Sequence, residues 1–298
     1  MNATRPLRTD FKHRRAQMVD ARSSRRIDAA IPNGYVAVDF CNEVGIGARL
    51  VWCLNVLAYC DTNNLDADFR FSFPGARDTD FFAPFFRIRS EAHDGGPRRF
   101  VRAVTIDAVP HEIISLSRGS DLAKKYFVIH PAVQAEVDQF WVDHGLDGNV
   151  LGVHYRGTDK SDEAPRVEYE TMTRYVRAYL DEHPEVSAIF VSSDERRFVE
   201  YATVSFNDVP VVAREDFRRA ETMQPVHQDL DNIISIQGDA VLSCLLLARC
   251  GGLIKTASFL SAFSALLNPE MRTLIVNRPH DKALWFPERD MLALQELR

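Results

Sequence analysis

Apolar residues in this chain cluster in short runs, separated by polar stretches whose hydrophobic positions recur at helical spacing. Residues 34–40 (GYVAVDF) are rich in β-branched and aromatic side chains and predict a buried strand. The turn CNEVGIGAR follows, then an apolar helical pattern over residues 50–59. Strand, glycine turn and helix in that order are how a doubly wound nucleotide-binding unit commonly opens. Residues 66–73 and 100–106 predict further strands, with a loop region between them marked by Pro74, Gly75, Gly95, Gly96 and Pro97. Residues 121–144 predict mostly helix, with Pro131 at a helix start.

The second half alternates more cleanly. Strands are predicted at residues 149–155, 186–193, 209–213, 253–256 and 273–277. Helices are predicted over residues 167–182, from about 195, over 238–249 and over 259–267, the last closed by Asn268-Pro269. Strand–helix alternation at this spacing implies an α/β protein with parallel sheets covered by helices on both faces. Gly145 and Gly148 flank a change of pattern, which sets a domain boundary near residue 147. The expected organisation is a basic arm (1–30), an N-terminal α/β domain (31–147) and a C-terminal Rossmann-like domain (148–298).

Composition narrows the function classes. The chain has 298 residues, 46% hydrophobic and 26% charged, which is ordinary for a globular protein. Its net charge of −6 argues against partners held mainly by electrostatic attraction, such as nucleic acid or anionic lipid. Basic residues concentrate in the arm, at Arg5, Arg8, Lys12, Arg14, Arg15, Arg22, Arg25 and Arg26, against only Asp10 and Asp20. The arm reads as a frayed terminus, or as a contact for an acidic partner. It lacks the apolar core of a signal peptide, and no stretch approaches ~20 apolar residues, so no membrane span and a cytoplasmic location are expected. Cys41, Cys53, Cys60, Cys244 and Cys250 include no CxxC pair and read as buried reduced thiols rather than disulfides or zinc ligands.

In an open α/β sheet, ligands bind beyond the carboxyl ends of the strands, and four polar segments lie there. In LGVHYRGTDKSDE a strand runs into His154, Arg156, Thr158, Asp159 and Lys160. Strand alternation sets His154 and Arg156 on one side. A guanidinium there can grip a diphosphate through paired charge-assisted bonds of roughly 1.5–3 kcal/mol each, or close a salt bridge with Asp159. Asp194 ends the strand VSAIFVSS and is either a ligand-facing carboxylate or a helix cap. Thr256 and Ser258 lie where a strand gives way to a helix, suited either to an anion or to capping. Asp239 precedes Ser243 by one helical turn, about 6 Å along the axis, and reads as a dipole or capping residue unless a ligand reaches it.

Together these segments resemble the α-1,6-fucosyltransferases, of both the nodulation and the animal core types. GVHYRGTDK is similar to their His-x-Arg-x-x-Asp segment. The order strand-SSD, Gly-Asp helix and strand-TxSxxS is similar too, as is GIG at Gly45–Gly47. The likeness covers most of residues 150–270 and a patch near 35–60. It implies two Rossmann-like domains facing each other (GT-B-like), GDP-fucose as donor, inverting transfer to a glycan or other hydroxyl acceptor, and no metal or bound cofactor. By position it assigns Arg156 to the β-phosphate, His154 to the nucleoside and Lys160 to diphosphate charge. Thr256 and Ser258 fall on the phosphate or ribose side. A carboxylate base is needed for the acceptor hydroxyl, and Glu163 or Asp162 stands closest, with Asp159 as runner-up. One departure concerns the guanine: the family often carries an aspartate in the middle of the Gly-Asp helix, where this chain has Ser243. The remainder of residues 31–147, on the acceptor side, matches no named pattern.

Other readings stay open at this point: a non-catalytic nucleotide or glycan binder, or a transferase using another nucleotide sugar. A dehydrogenase fits poorly, since GIGAR lacks the full GxGxxG and Asp61 stands too close to the turn. Nucleic-acid binding fits worse, for want of an aromatic-basic platform.

Overall fold

The computed structural model describes residues 34–89, 99–146, 149–157, 163–219 and 232–297. The basic arm therefore lies outside the described residues, as do Thr158, Asp159, Lys160 and Asp162.

The first sheet has three parallel strands in the order β2-β1-β4, with β1 at Tyr35–Cys41, β2 at Asp66–Ser72 and β4 at Val101–Ala103. Helix α1 (Ile46–Thr62) connects the first two strands. A short antiparallel pair joins β3 (Phe86–Ile88) to β5 (Phe127–Ile129). The expected helix over residues 121–144 is thus two helices, α2 (Leu116–Tyr126) and α3 (Pro131–Asp143), parted by β5. Phe127-Val128-Ile129 is a strand-forming run, and Pro131 supplies the first residue of the next helix. The strand expected over 100–106 shortens to β4, and a 3₁₀ turn takes residues 106–108.

The second sheet has five parallel strands in the order β10-β9-β6-β7-β8. These are β6 (Val150–Tyr155), β7 (Ala188–Ser193), β8 (Val211–Val212), β9 (Gly252–Lys255) and β10 (Arg272–Ile275). Between them run α4 (Tyr169–Glu182), α5 (Arg196–Ser205), α6 (Ile233–Ala248) and α7 (Phe259–Leu267), and α8 (Glu288–Glu296) ends the chain. The pattern over residues 149–277 therefore folds as expected for a parallel sheet flanked by helices. Alternation is strict in the central strands: Val150, Ala188 and Phe190 enter one hydrophobic cluster, while Leu151, Val153, Tyr155, Ile189 and Val191 enter another on the opposite face.

The first of those clusters is continuous with the core of the three-stranded sheet, since it includes Phe40, Leu50, Phe71, Phe82, Leu246 and Phe263. Phe127 on β5 and Phe263 on α7 meet edge to face at 5.5 Å across the join. The closest backbone approach lies at Gly47, where an added Cβ would sit 2.5 Å from the Leu260 amide nitrogen. Only glycine lets α1 cross the start of α7 so tightly. All five cysteines are buried and unpaired, and burial pushes the Cys60 and Cys244 thiols up to about 12. Among the described residues no helix is long and apolar enough to cross a membrane.

Candidate active site

A cavity of about 380 Å³ opens where the carboxyl ends of β6 and β7 face the turn after β1 and the starts of α1 and α7. Such a size suits a small organic ligand. His154, Arg156, Glu163, Asp194, Asp239, Gly45 and Gly47 all line it, so seven of the residues singled out in the sequence converge on one space.

His154 and Arg156 share a side, as the alternation of β6 requires. His154 is buried, and its Nδ1 lies 2.9 Å from the Ser261 hydroxyl on α7. Arg156 lies just beyond the strand. Its backbone N–H donates to Thr256 Oγ1 at 2.8 Å, and its Nε lies 3.8 Å from Asp194 Oδ2. Asp194 also accepts from the Gly157 N–H at 3.2 Å. It is therefore not the cap of α5, where Glu195 takes the cap position without a side-chain bond. The salt-bridge partner expected for Arg156, Asp159, lies outside the described residues.

A second layer fixes the loop behind Arg156. Arg166 holds Glu195 through two parallel bonds of 2.9 and 3.0 Å and donates to the Gly157 carbonyl at 2.7 Å. Tyr169 also donates to Glu195. The fit leaves no room for a side chain at 157, because a Cβ there would fall 1.9 Å from Glu195 Oε1.

Thr256 and Ser258 do not stand on the cavity wall but behind it, both buried. Thr256 holds the Arg156 backbone, and Ser258 is the N-cap residue of α7 with no side-chain cap bond. The wall at that point is made by Phe259 and Leu260 in the first turn of α7. Across the cavity, α1 starts at Gly45, which has no side chain with which to cap it. Neither N-cap residue caps its helix with its own side chain, although the Glu288 carboxylate accepts from the Ser258 N–H; both amino termini face the same space with positive partial charge.

The turn leading into α1 is held from behind by Arg49. This buried side chain donates to the Asn42 carbonyl at 2.6 Å and to Asn42 Oδ1 at 3.1 Å, with its guanidinium over the ring of Phe73. Desolvation lowers its pKa to about 10. On the far wall Asp239 accepts from the Arg218 N–H at 3.2 Å. It sits in the second turn of α6, which starts at Ile233, five residues before the helix expected from residue 238, so it cannot be a cap. Burial raises its carboxyl above the usual value of 3.8. Ser243 lines the same wall one turn on. Among the described residues no group of three or more His, Cys, Asp or Glu side chains could hold a metal ion.

No protein-family model and no curated protein matches the sequence. Solved structures do match. A crystal structure of NodZ α-1,6-fucosyltransferase with GDP aligns over 80% of this chain and 94% of its own, with a TM-score of 0.54 and 16% identity. The fucosyltransferase NodZ from Bradyrhizobium aligns over the same shares at a TM-score of 0.53 and 15% identity. The chain has the NodZ fold. POFUT1 in complex with GDP aligns over 82% of this chain at a TM-score of 0.49 and 10% identity.

Several residues around this cavity escaped the sequence reading. Arg218 lines it from a segment with no periodic signal. Arg166, Glu195 and Asn277 brace the loops behind it, and nothing in their sequence spacing joins them. Glu288, whose carboxylate meets Lys255 and the Ser258 N–H, had a legible signal: Pro287 followed by acidic residues and an apolar pattern marks a helix start.

Proposed function

We propose that the protein is a glycosyltransferase that moves fucose from GDP-fucose to a hydroxyl of a glycan or other acceptor, with inversion and without a metal ion. The observation that carries this reading is the meeting of Arg156 with two helix amino termini, α1 and α7, around one cavity. Such a setting suits a diphosphate, whose charge grows as the sugar leaves. The NodZ enzyme, which shares the fold, is an α-1,6-fucosyltransferase crystallised with GDP.

In this mechanism Arg156 receives the β-phosphate and Asp194 keeps its guanidinium in line. His154, aimed by Ser261, meets the nucleoside. Lys160 adds charge at the diphosphate. Asp239 accepts from the guanine N1–H and amino group, taking over from the aspartate that the fucosyltransferases carry near Ser243. Glu163, exposed on the cavity wall, takes the proton of the acceptor hydroxyl as its oxygen bonds to C1 of fucose. The bond from C1 to the β-phosphate oxygen breaks on the opposite face, releasing GDP. On this reading residues 148–298 supply most of the donor side, joined there by the amino terminus of α1, and the rest of residues 31–147 forms the acceptor side. A second reading, transfer from a different nucleotide sugar, draws on Ser243, a neutral hydroxyl on the wall where the base would lie.

A thermal-shift titration in EDTA with GDP, GDP-fucose, UDP and ADP decides between them. A nucleotide at 100 times its Kd stabilises the fold by about 2.7 kcal/mol. GDP compounds should shift wild type and leave Arg156→Ala unmoved. A larger shift with UDP or ADP sinks the guanine assignment, and no shift with any nucleotide sinks the donor site. Glu163→Gln should keep GDP binding and lose about 10²–10⁴-fold in transfer.

A further inference from the structure

The last helix of the chain reaches the turn behind the cavity through one buried carboxylate. Glu288, the first residue of α8, is buried, and its side chain is 6% exposed against 0% for Lys255. One oxygen, Glu288 Oε1, accepts both from Lys255 Nζ and from the Ser258 N–H. Lys255 is the last residue of β9 and Ser258 the N-cap residue of α7. A single atom therefore ties the two ends of the turn 255–258. Inside that turn Thr256 Oγ1 holds the Arg156 N–H at 2.8 Å, and Asn277 Oδ1 holds the Ala257 N–H at 2.7 Å. The opposite end of α8 is also fixed. Gln295 accepts from the Ile275 N–H at 2.9 Å and donates to its carbonyl at 3.2 Å, satisfying backbone groups on the edge strand β10.

A buried ion pair is a poor source of stability, since apolar residues of similar volume often serve as well or better. Its distinctive property is direction. The carboxylate fixes where the 255–258 backbone lies, and that backbone fixes both the start of α7 and the residue at the end of β6. We propose that Glu288 is a positioning residue for the donor cavity, through which the C-terminal helix sets the aim of Arg156. The proposal rests on the donor reading above; its anchoring step does not.

Two paired variants separate anchoring from charge. Lys255→Met with Glu288→Gln keeps an acceptor for Ser258, and Lys255→Met with Glu288→Leu removes it while leaving no buried charge. GDP affinity by calorimetry and amide hydrogen exchange over residues 256–261 without nucleotide are read on both. The Gln pair should bind GDP within threefold of wild type and keep its amide protection. The Leu pair should unfold at no lower temperature than the Gln pair, yet bind GDP at least tenfold more weakly and exchange faster at Ser258. A folded Leu pair with wild-type affinity overturns the proposal, as does equal weakening in both pairs. Should wild type itself bind no GDP, the donor reading falls, and unchanged protection at Ser258 in the Leu pair then overturns the anchor independently. Were the Leu pair not to fold, Glu288→Asp takes its place. Its carboxylate, one methylene shorter, is drawn back from both donors, and the same losses are expected.

Discussion

The three-stranded and five-stranded sheets differ in where their buried polar residues stand relative to the cavity. In the first, Asp39, Asn42, Arg49 and Ser72 satisfy one another or nearby backbone: Ser72 donates to Asp39 at 2.6 Å, and Arg49 to Asn42. Around them the packing is phenylalanine on phenylalanine, with Phe82 within 6.2 Å of the rings of Phe69, Phe71, Phe86 and Phe127. In the second, His154, Ser192, Thr256 and Ser258 gather at the carboxyl ends of strands, at or directly behind the cavity wall. Of the second set His154 and Ser192 line the cavity, with Thr256 and Ser258 behind them, whereas none of the four in the first sheet lines it. Stability and chemistry should therefore be separable by mutation.

The largest expected effect is on the aromatic side. Phe82→Ala should cost about 3–5 kcal/mol in urea unfolding, the usual loss for a large buried ring, while the folded fraction binds GDP as wild type does. Weaker nucleotide binding per folded molecule would break the comparison, because the two sheets would then share one energetic unit.

Gly47→Ala should strike both properties, since Gly47 is on the cavity wall and pressed against the Leu260 backbone. Overpacking of this kind costs about 1–3 kcal/mol, and the shift forced on α7 should also weaken GDP binding. Gly45→Ala is the contrast. An added Cβ there meets nothing within 4 Å, and its φ of −63° suits any residue, so the midpoint of unfolding should hardly move. Equal losses at both positions would mean that the close approach of α1 and α7 is not what matters.

The contrast also explains what could be read from the chain. Strands such as VSAIFVSS and LGVHY carry their own boundaries, because a parallel sheet buried on both faces needs continuous apolar runs and its loops carry the polar residues. The cavity residues at those strand ends, His154, Arg156 and Asp194, were legible for the same reason. The divided helix at 127–129 was not. Three residues of strand propensity are too short a run to outweigh helical periodicity on either side, and β5 forms only because β3, some forty residues earlier, pairs with it. The bracing contacts were hidden in the same way. Arg166 to Glu195 spans 29 positions and Lys255 to Glu288 spans 33, and such pairings follow from the fold rather than from local pattern. Thr256 and Ser258 show a further limit, since sequence put them near the ligand but could not tell the wall from its backing.

The smallest expected effect is the sharpest test, because it trades one property for the other at a single atom. Burial raises the carboxyl of Asp239, so the folded protein holds that proton to higher pH than the unfolded chain does. From the unfolded value of 3.8 upward, stability is therefore lost as pH rises through the raised pKa, and above it the half-buried charge is a standing cost. Asp239→Asn removes that cost and should be slightly more stable than wild type at pH 7. It should also bind GDP about tenfold more weakly, since a carboxylate contributes more than a neutral amide to bonds with the guanine edge. Wild-type affinity should fall as pH drops through the raised pKa, while the Asn variant shows no such step. Calorimetric titration with GDP from pH 4.5 to 7.5 reads both effects. A variant that is more stable but binds equally well would leave the half-buried Asp239 without a ligand to justify it, and would pass the base-reading role to Ser243 and a different nucleotide.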